Sequence, residues 1–97
     1  MKIRPEKQQL AELLTQFYLR LQLKEEEIIS IRDLAKKMDV TESQLARWMS
    51  DTQDIMPRGD GAIKLVNFYI DHFGEEALKI YDVMGWDRPK HPQDAKE

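Results

Sequence analysis

Cysteine is absent from this 97-residue chain. The absence excludes disulfide bonds and thiolate metal sites, and it fits a reducing compartment, so we expect a cytoplasmic protein. The sequence also lacks an apolar run of about 20 residues, the length that a membrane-spanning helix needs. The first residues are charged and lack the apolar centre of a signal peptide. We therefore expect no membrane partner.

Residue patterns that are typical of enzymes are missing as well. The only two histidines, His72 and His91, have no neighbours at the spacing of metal ligands. No glycine-rich loop follows a strand pattern, and no pairing of a nucleophile with a base stands out. We therefore expect no enzymatic activity and no metal or other cofactor. A small-molecule effector is not indicated.

An excess of positive charge is the third absence. The chain has 15 Lys and Arg against 18 Asp and Glu, a net charge of -3, whereas DNA-binding domains usually carry a basic excess. Between Ile31 and Ser50, however, four basic side chains stand against three acidic ones, and acids are concentrated at 25–27, 51–60 and 75–76. This distribution predicts a mildly basic face on an acidic body, with weak non-specific affinity for DNA.

The spacing of apolar residues predicts a first helix. Pro5 can occupy the first helical position without losing a needed N–H. Large apolar residues then recur at the intervals of one buried helix face: Leu10, Leu13, Leu14, Phe17 and Leu21. The glutamates at 25–27 would oppose the negative end of the helix dipole, so we expect the helix to end near Leu23 or Lys24.

A second helix is predicted by its capping residues. Ser30 and Asp33 have the spacing of a capping pair, in which the hydroxyl accepts a free backbone N–H and the acid sits at the positive end of the helix dipole. Ile29 and Leu34 have the spacing of a hydrophobic staple around that cap. These signals predict a short helix from about Ile31 to Met38.

The same signals recur eleven residues later. Thr41 and Gln44 have the spacing of a capping box, and Val40 and Leu45 that of a staple. They predict a third helix from about Glu42 to Ser50, after a turn at residues 38–40. Two short helices joined by a tight turn form a helix-turn-helix.

Two further helices are expected after a polar loop. Asp60 is the predicted cap of helix 4, and Gly74 its end. One face of helix 4 carries Ile63, Val66, Ile70 and Phe73. Helix 5 begins with the acids at 75–76, ends at Gly85 and packs inward with Ala77, Leu78, Tyr81 and Met84. The polar segment 87–97 predicts a disordered tail.

Residues 31–50 resemble the helix-turn-helix of lambda-repressor-like (XRE-type) transcriptional regulators. The apolar positions of that pattern are filled by Leu34, Met38, Val40, Leu45 and Trp48. Ala35 takes the small-residue position where the two helices approach closely, and Asp39 stands where the family usually has glycine in the turn. The resemblance implies an all-α, single five-helix lambda-repressor-like DNA-binding domain over residues 1–86, with its helix-turn-helix formed by helices 2 and 3.

The third helix has one face suited to reading bases. At about 100° per residue, Leu45, Trp48 and Met49 share an arc that faces the core. The opposite arc centres on Ser43 and Arg47. Arg can bind guanine in bidentate fashion, Gln can pair with adenine, and an acid can accept from cytosine. The predicted base-reading residues are therefore Ser43, Arg47, Gln44, Ala46, Glu42 and Ser50.

Phosphate contacts are expected around that helix. Basic side chains of helix 2, the cap of helix 3 and free N–H groups at the start of helix 4 are suited to this role. The predicted phosphate-binding residues are Arg32, Lys36, Thr41, Arg58, Gly61 and Ala62.

The sequence thus predicts a transcriptional regulator that binds double-stranded DNA sequence-specifically. A homodimer is expected, because one short reading helix with little positive charge gives weak affinity, whereas two linked half-sites bind tightly. Tyr81, Met84 and Trp86 are the first candidates for the dimer contact, followed by Phe68 and Tyr69. The alternative is a protein-interaction module on the same fold, such as an antitoxin-like or anti-regulator component.

Overall fold

The structure, a computed structural model, describes residues 4–86. These residues are helical and contain no strand, which confirms the all-α class. The helices are α1 (Pro5–Glu25), α2 (Ile31–Met38), α3 (Glu42–Met49), α4 (Gly59–Phe73) and α5 (Lys79–Met84). No helix in this range is long and apolar enough to cross a membrane. The predicted tail at 87–97 lies outside the described residues.

Only the first four helices have eight residues or more, so the expected five-helix domain is not confirmed. A single helix beginning at the acids 75–76 was expected after Gly74, and this expectation is wrong. The chain forms a 3-10 helix, Gly74–Leu78, which continues into the six-residue α5. No side chain caps the start of either segment. The packing of Ala77, Leu78 and Ile80 into the core holds this short segment in place.

The first helix carries a large share of the core. Its buried side chains include Leu10, Leu14, Phe17 and Leu21, as the spacing predicts. The helix continues to Glu25, slightly beyond the predicted end. Backbone N–H groups of the next two residues donate to the carbonyls of Leu23 and Gln22, at 3.3 and 3.2 Å. These bonds close the helix with Glu26 in the left-handed conformation (φ 54°).

The two short helices are capped as predicted. The hydroxyl of Ser30 accepts the N–H of Asp33 at 3.1 Å. The hydroxyl of Thr41 accepts the N–H of Gln44 at 3.0 Å, and the amide oxygen of Gln44 accepts the N–H of Thr41 at 3.1 Å. The capping box therefore fixes the start of α3. Between the helices, Asp39 is left-handed (φ 64°), as the turn requires.

The start and the buried face of α4 differ from the prediction. The N-cap is Arg58 rather than Asp60, because Gly59 takes a positive φ of 58° and already begins the helix. Ile63, predicted to face the core, is 42% exposed. The buried residues are Ala62, Leu65, Val66, Tyr69 and Ile70. Aromatic packing sets this rotation, since the ring of Tyr69 lies 5.0 Å from that of Phe17 on α1.

Candidate nucleic-acid interface

The third helix separates a buried face from a polar one. Leu45 is fully buried and Trp48 is 4% exposed, while Met49 is half-buried. Five side chains of the helix are exposed: Glu42, Ser43, Gln44, Ala46 and Arg47. The predicted division of α3 into an inward arc and an outward arc therefore agrees with the burial of its residues.

The inward side of α3 is held by a close contact with α4. Gly61 lies against the indole of Trp48, and a Cβ at Gly61 would stand 3.0 Å from two of the ring carbons. Only a residue without a side chain leaves this space to the indole at its present position. The contact fixes the distance between α3 and the start of α4, where Arg58 lies.

The C-terminal end of α3 is held by a lysine that the sequence did not mark. Lys7 on α1 is fully buried, and its ammonium donates to the backbone carbonyl of Ser50. Burial lowers the pKa of Lys7, while the carboxylates of Asp54 and Asp51 act in the opposite direction. A cation at the negative end of a helix is favourable. In the sequence, Lys7 is one of many polar residues on α1, so helical spacing alone did not indicate that it would be buried.

Three of the predicted base-reading residues project freely from the polar face. Ser43, Ala46 and Arg47 are exposed, and no carboxylate among residues 4–86 lies within ion-pair distance of Arg47. Glu42 is exposed in the first turn of the same helix. These side chains share one surface of α3.

The other two predicted readers are engaged within the protein. The amide oxygen of Gln44 is part of the capping box, so a bidentate contact to adenine would require this bond to break. Ser50 lies beyond the last turn of α3, and its hydroxyl accepts the N–H of Thr52 at 3.1 Å. Its carbonyl is bound by Lys7. Ser50 is half-buried, so its side chain is less accessible than those of Ser43 and Arg47.

The predicted phosphate-binding residues are divided in the same way. Arg32, Lys36 and Arg58 are exposed, and Thr41 is the exposed cap of α3. Ala62 is 3% exposed, and its N–H donates to the carbonyl of Arg58 at 3.4 Å. Because α4 begins at Gly59 rather than after Asp60, that N–H is already bonded within the helix and is not free for a phosphate. Gly61 is half-buried beneath the indole of α3.

Acidic residues that border α3 are partly neutralised by cations from elsewhere in the chain. Both carboxylate oxygens of Asp54 accept from Nε of Arg4, at 2.9 and 3.0 Å. In the turn, Oδ2 of Asp39 lies 3.1 Å from Nζ of Lys64, which also donates to the carbonyl of Asp39. Because these pairs join residues 50 and 25 positions apart, no local sequence pattern predicts them.

Of the two histidines, the structure describes His72. Within residues 4–86, no group of His, Asp and Glu has the arrangement of a metal site. His72 is half-buried with Nδ1 3.8 Å from Oε1 of Glu25. Burial and the nearby Lys24 lower the pKa of His72, which Glu25 opposes. His91 lies outside the described residues.

The predicted dimer contacts are only partly accessible. Tyr69 is fully buried, so its predicted role in a dimer is wrong, because the rotation of α4 turns it into the core. Phe68 is half-buried. Trp86 is 37% exposed and packs edge-on against the half-buried ring of Tyr81, with 5.9 Å between ring centroids. Met84 is half-buried.

Neither a protein-family model, nor a curated protein, nor a solved structure matches the chain.

Proposed function

We propose that the protein is a cytoplasmic transcriptional regulator that binds double-stranded DNA through a lambda-repressor-like helix-turn-helix formed by α2 and α3. The observation that carries the proposal is the polar face of α3, where Ser43, Ala46 and Arg47 are exposed directly opposite the buried Leu45 and Trp48. A recognition helix lies in the major groove and presents its N-terminal residues to base edges. The capping box of α3 leaves the exposed hydroxyl of Ser43 and the small side chain of Ala46 at that end.

Arg47 is the main base reader in this proposal. Its guanidinium has no ion-pair partner among residues 4–86 and can bind O6 and N7 of guanine in bidentate fashion. Ser43 can accommodate several bases, and Ala46 permits close approach and contact with a thymine methyl. Glu42 can accept from cytosine N4. Gln44 serves first as a cap, so its contribution to base reading is secondary.

Backbone phosphates are bound by residues around α3. Arg32 and Lys36 on α2 and Arg58 before α4 are exposed and lie outside the ion pairs among residues 4–86. The bond from Arg4 to Asp54 and that from Lys64 to Asp39 reduce the negative charge next to them. Three cations still give modest affinity. The protein therefore acts as a homodimer on two half-sites, with Trp86 and its neighbours as candidate contacts.

Selection of bound duplexes from a random pool tests the proposal. The wild-type chain is expected to enrich one sequence, and Arg47→Ala is expected to lose about 1–3 kcal/mol at a single base position. Lys79→Ala is the matched control, because it removes one positive charge from an exposed position on α5. It is expected to leave both affinity and sequence preference unchanged.

Two results would overturn the assignment. If no sequence is enriched, the protein does not read DNA. If Arg47→Ala leaves the sequence preference unchanged at every position, Arg47 is not the base reader. A uniform loss of affinity across all sequences, with a salt slope reduced by about 1, would instead make Arg47 a phosphate contact.

A protein-interaction module on the same fold is the second candidate function. The net charge of -3 favours it, since acidic surfaces repel the phosphate backbone. In that case the random pool yields no preferred duplex, and the partner is a protein.

A further inference from the structure

An apolar surface lies on the outer side of α1 and in the connection to α2. Leu19 is 54% exposed, Leu23 is 79% exposed and Ile28, in the connection to α2, is 96% exposed. The two leucines are four residues apart and lie one above the other on the helix. They face away from the core residues Leu14 and Leu21. Together with Gln22, Glu26 and Glu27 they line one open depression, called here the outer groove.

The rim of the outer groove is acidic. Glu26 and Glu27 are exposed, and no cation among residues 4–86 lies within ion-pair distance of either. The two basic residues on this half of α1 are directed elsewhere. Arg20 pairs with Glu76 and lies 4.9 Å from the ring centre of Phe73. Lys24 donates to the carbonyl of His72 at 2.7 Å. The acidic rim therefore remains without compensation from its own helix.

This combination points to one kind of occupant. We propose that the outer groove docks an amphipathic helix of another protein, with apolar side chains three or four residues apart and lysine or arginine beside them. Such helices bind apolar grooves through anchors at these spacings. Basic residues next to the anchors would meet Glu26 and Glu27, while the anchors cover Leu19, Leu23 and Ile28. Complementary charge also speeds the encounter of the two partners.

Neither a second copy nor the chain's own end has this chemistry. A two-fold contact places the same surface on both sides, and the exposed positions that extend this face of α1 are Gln8, Glu12, Thr15 and Gln16, with no base among them. Two copies would therefore bring the acids of α1 together, with no basic side chain on this face of the helix. The segment 87–97 contains no leucine, isoleucine, valine, methionine, phenylalanine, tyrosine or tryptophan to serve as an anchor.

Leu19 of the outer groove is far from the end of α3. Lys7, which holds that end, is twelve residues from Leu19, a distance of about 18 Å along the helix axis. Ile28, at the other end of the groove, is four residues before Arg32 of the proposed DNA-binding surface. The docking proposal rests on the residues of the groove itself and does not depend on DNA binding.

A designed peptide about five helical turns long tests the docking proposal. It carries leucines at intervals of three and four residues, with lysines on both flanks, and its matched partner has glutamate in place of every lysine. Binding to the full chain is measured by fluorescence anisotropy at low and at high salt. The lysine peptide is expected to bind, with an affinity that falls as salt increases, and the glutamate peptide is expected not to bind.

Three variants identify the surface. Leu19→Gln with Leu23→Gln is expected to weaken binding about tenfold or more, an effect of about 1.4 kcal/mol. Glu26→Gln with Glu27→Gln is expected to weaken binding and to reduce its salt dependence. Ile63→Gln is the matched control, since Ile63 is another exposed apolar residue, on α4, and it is expected to leave binding unchanged. Far-ultraviolet circular dichroism verifies that each variant is folded.

Any of four outcomes would overturn the proposal. The first two are that the lysine peptide fails to bind, or that the glutamate peptide binds equally well. The third is that the leucine variants bind as tightly as the wild-type chain. The fourth is a dimer in sedimentation equilibrium that the leucine substitutions dissociate, which would make a second copy the occupant. Loss of DNA selection without loss of peptide binding would reject the proposed function alone.

Discussion

Two residues with side chains occupy left-handed positions, and they provide a matched test of backbone strain. Glu26 (φ 54°, ψ 37°) follows α1, and Asp39 (φ 64°, ψ 43°) follows α2. In each case the next two N–H groups close the helix end in the same pattern. The left-handed conformation costs a residue with a Cβ about 1–2 kcal/mol, and glycine avoids this cost. Glycine also lowers the free energy of unfolding by about 0.4–1 kcal/mol, because it gives the unfolded chain more conformational freedom.

These values predict different results for the two glycine substitutions. Glu26→Gly is expected to increase the free energy of unfolding by roughly 0.5–1 kcal/mol, the difference between the two terms. Asp39→Gly is expected to change it little, because aspartate tolerates this conformation better. That variant also loses the exposed ion pair with Lys64, worth about 0.2–1 kcal/mol. The bond from Lys64 to the carbonyl at position 39 remains in the glycine variant.

Urea unfolding followed by circular dichroism measures both effects. A gain of about 1 kcal/mol corresponds to an increase of roughly 4–8 °C in Tm for a domain of this size. Asp39→Asn is the control, since asparagine also suits the left-handed region but has no charge. If Asp39→Gly stabilises the protein as much as Glu26→Gly, or if Glu26→Gly is destabilising, the reasoning about strain and ion pairing is wrong.

Four further substitutions test the packing and the pH dependence. Gly61→Ala is expected to lower stability, because overpacking against the buried Trp48 costs about 1–3 kcal/mol, more than the helix gain of up to about 1 kcal/mol from alanine; unchanged stability and indole fluorescence would contradict this. Tyr69→Phe removes a buried hydroxyl that has no partner among residues 4–86 and is expected not to destabilise. Tyr18→Phe removes a hydroxyl bonded to a backbone carbonyl and is expected to lose about 1 kcal/mol; equal losses in the two would refute the contrast. Because burial lowers the pKa of His72 below its usual 6.5, the unfolded chain binds more protons, and stability falls as the pH decreases through and below this value. His72→Gln is expected to reduce the change in unfolding free energy between about pH 7.5 and about pH 5.5, and an unchanged pH profile would exclude this origin.

Local chemistry made α2 and α3 predictable. In any chain that begins a helix at an N-cap, the hydroxyl of the cap can bond the N–H three residues later. Ser30 and Thr41 therefore predict two helix starts without knowledge of the rest of the fold. The inward arc of α3 follows from helical periodicity alone, and Leu45 and Trp48 are buried accordingly.

The rotation of α4 was not predictable in this way. Ile63 and Tyr69 are both apolar enough for the core, and periodicity alone favoured the wrong one. Contact between Tyr69 and Phe17, which are 52 positions apart, decides which side of α4 is buried. The same rotation brings Gly61 beneath the indole of Trp48 and removes Ala62 from the set of accessible N–H groups.

In the segment from Ile31 to Ser50, some features depend on local sequence and others on tertiary packing. Its helices, their caps and the outward position of Arg47 were determined by the sequence, since each depends on residues within one or two turns. Tertiary structure alone decided that Lys7 holds the carbonyl of Ser50, and that Arg4 and Lys64 neutralise nearby acids. These contacts join residues that are distant along the chain, and only the packing of α1 and α4 around α3 brings their charges together.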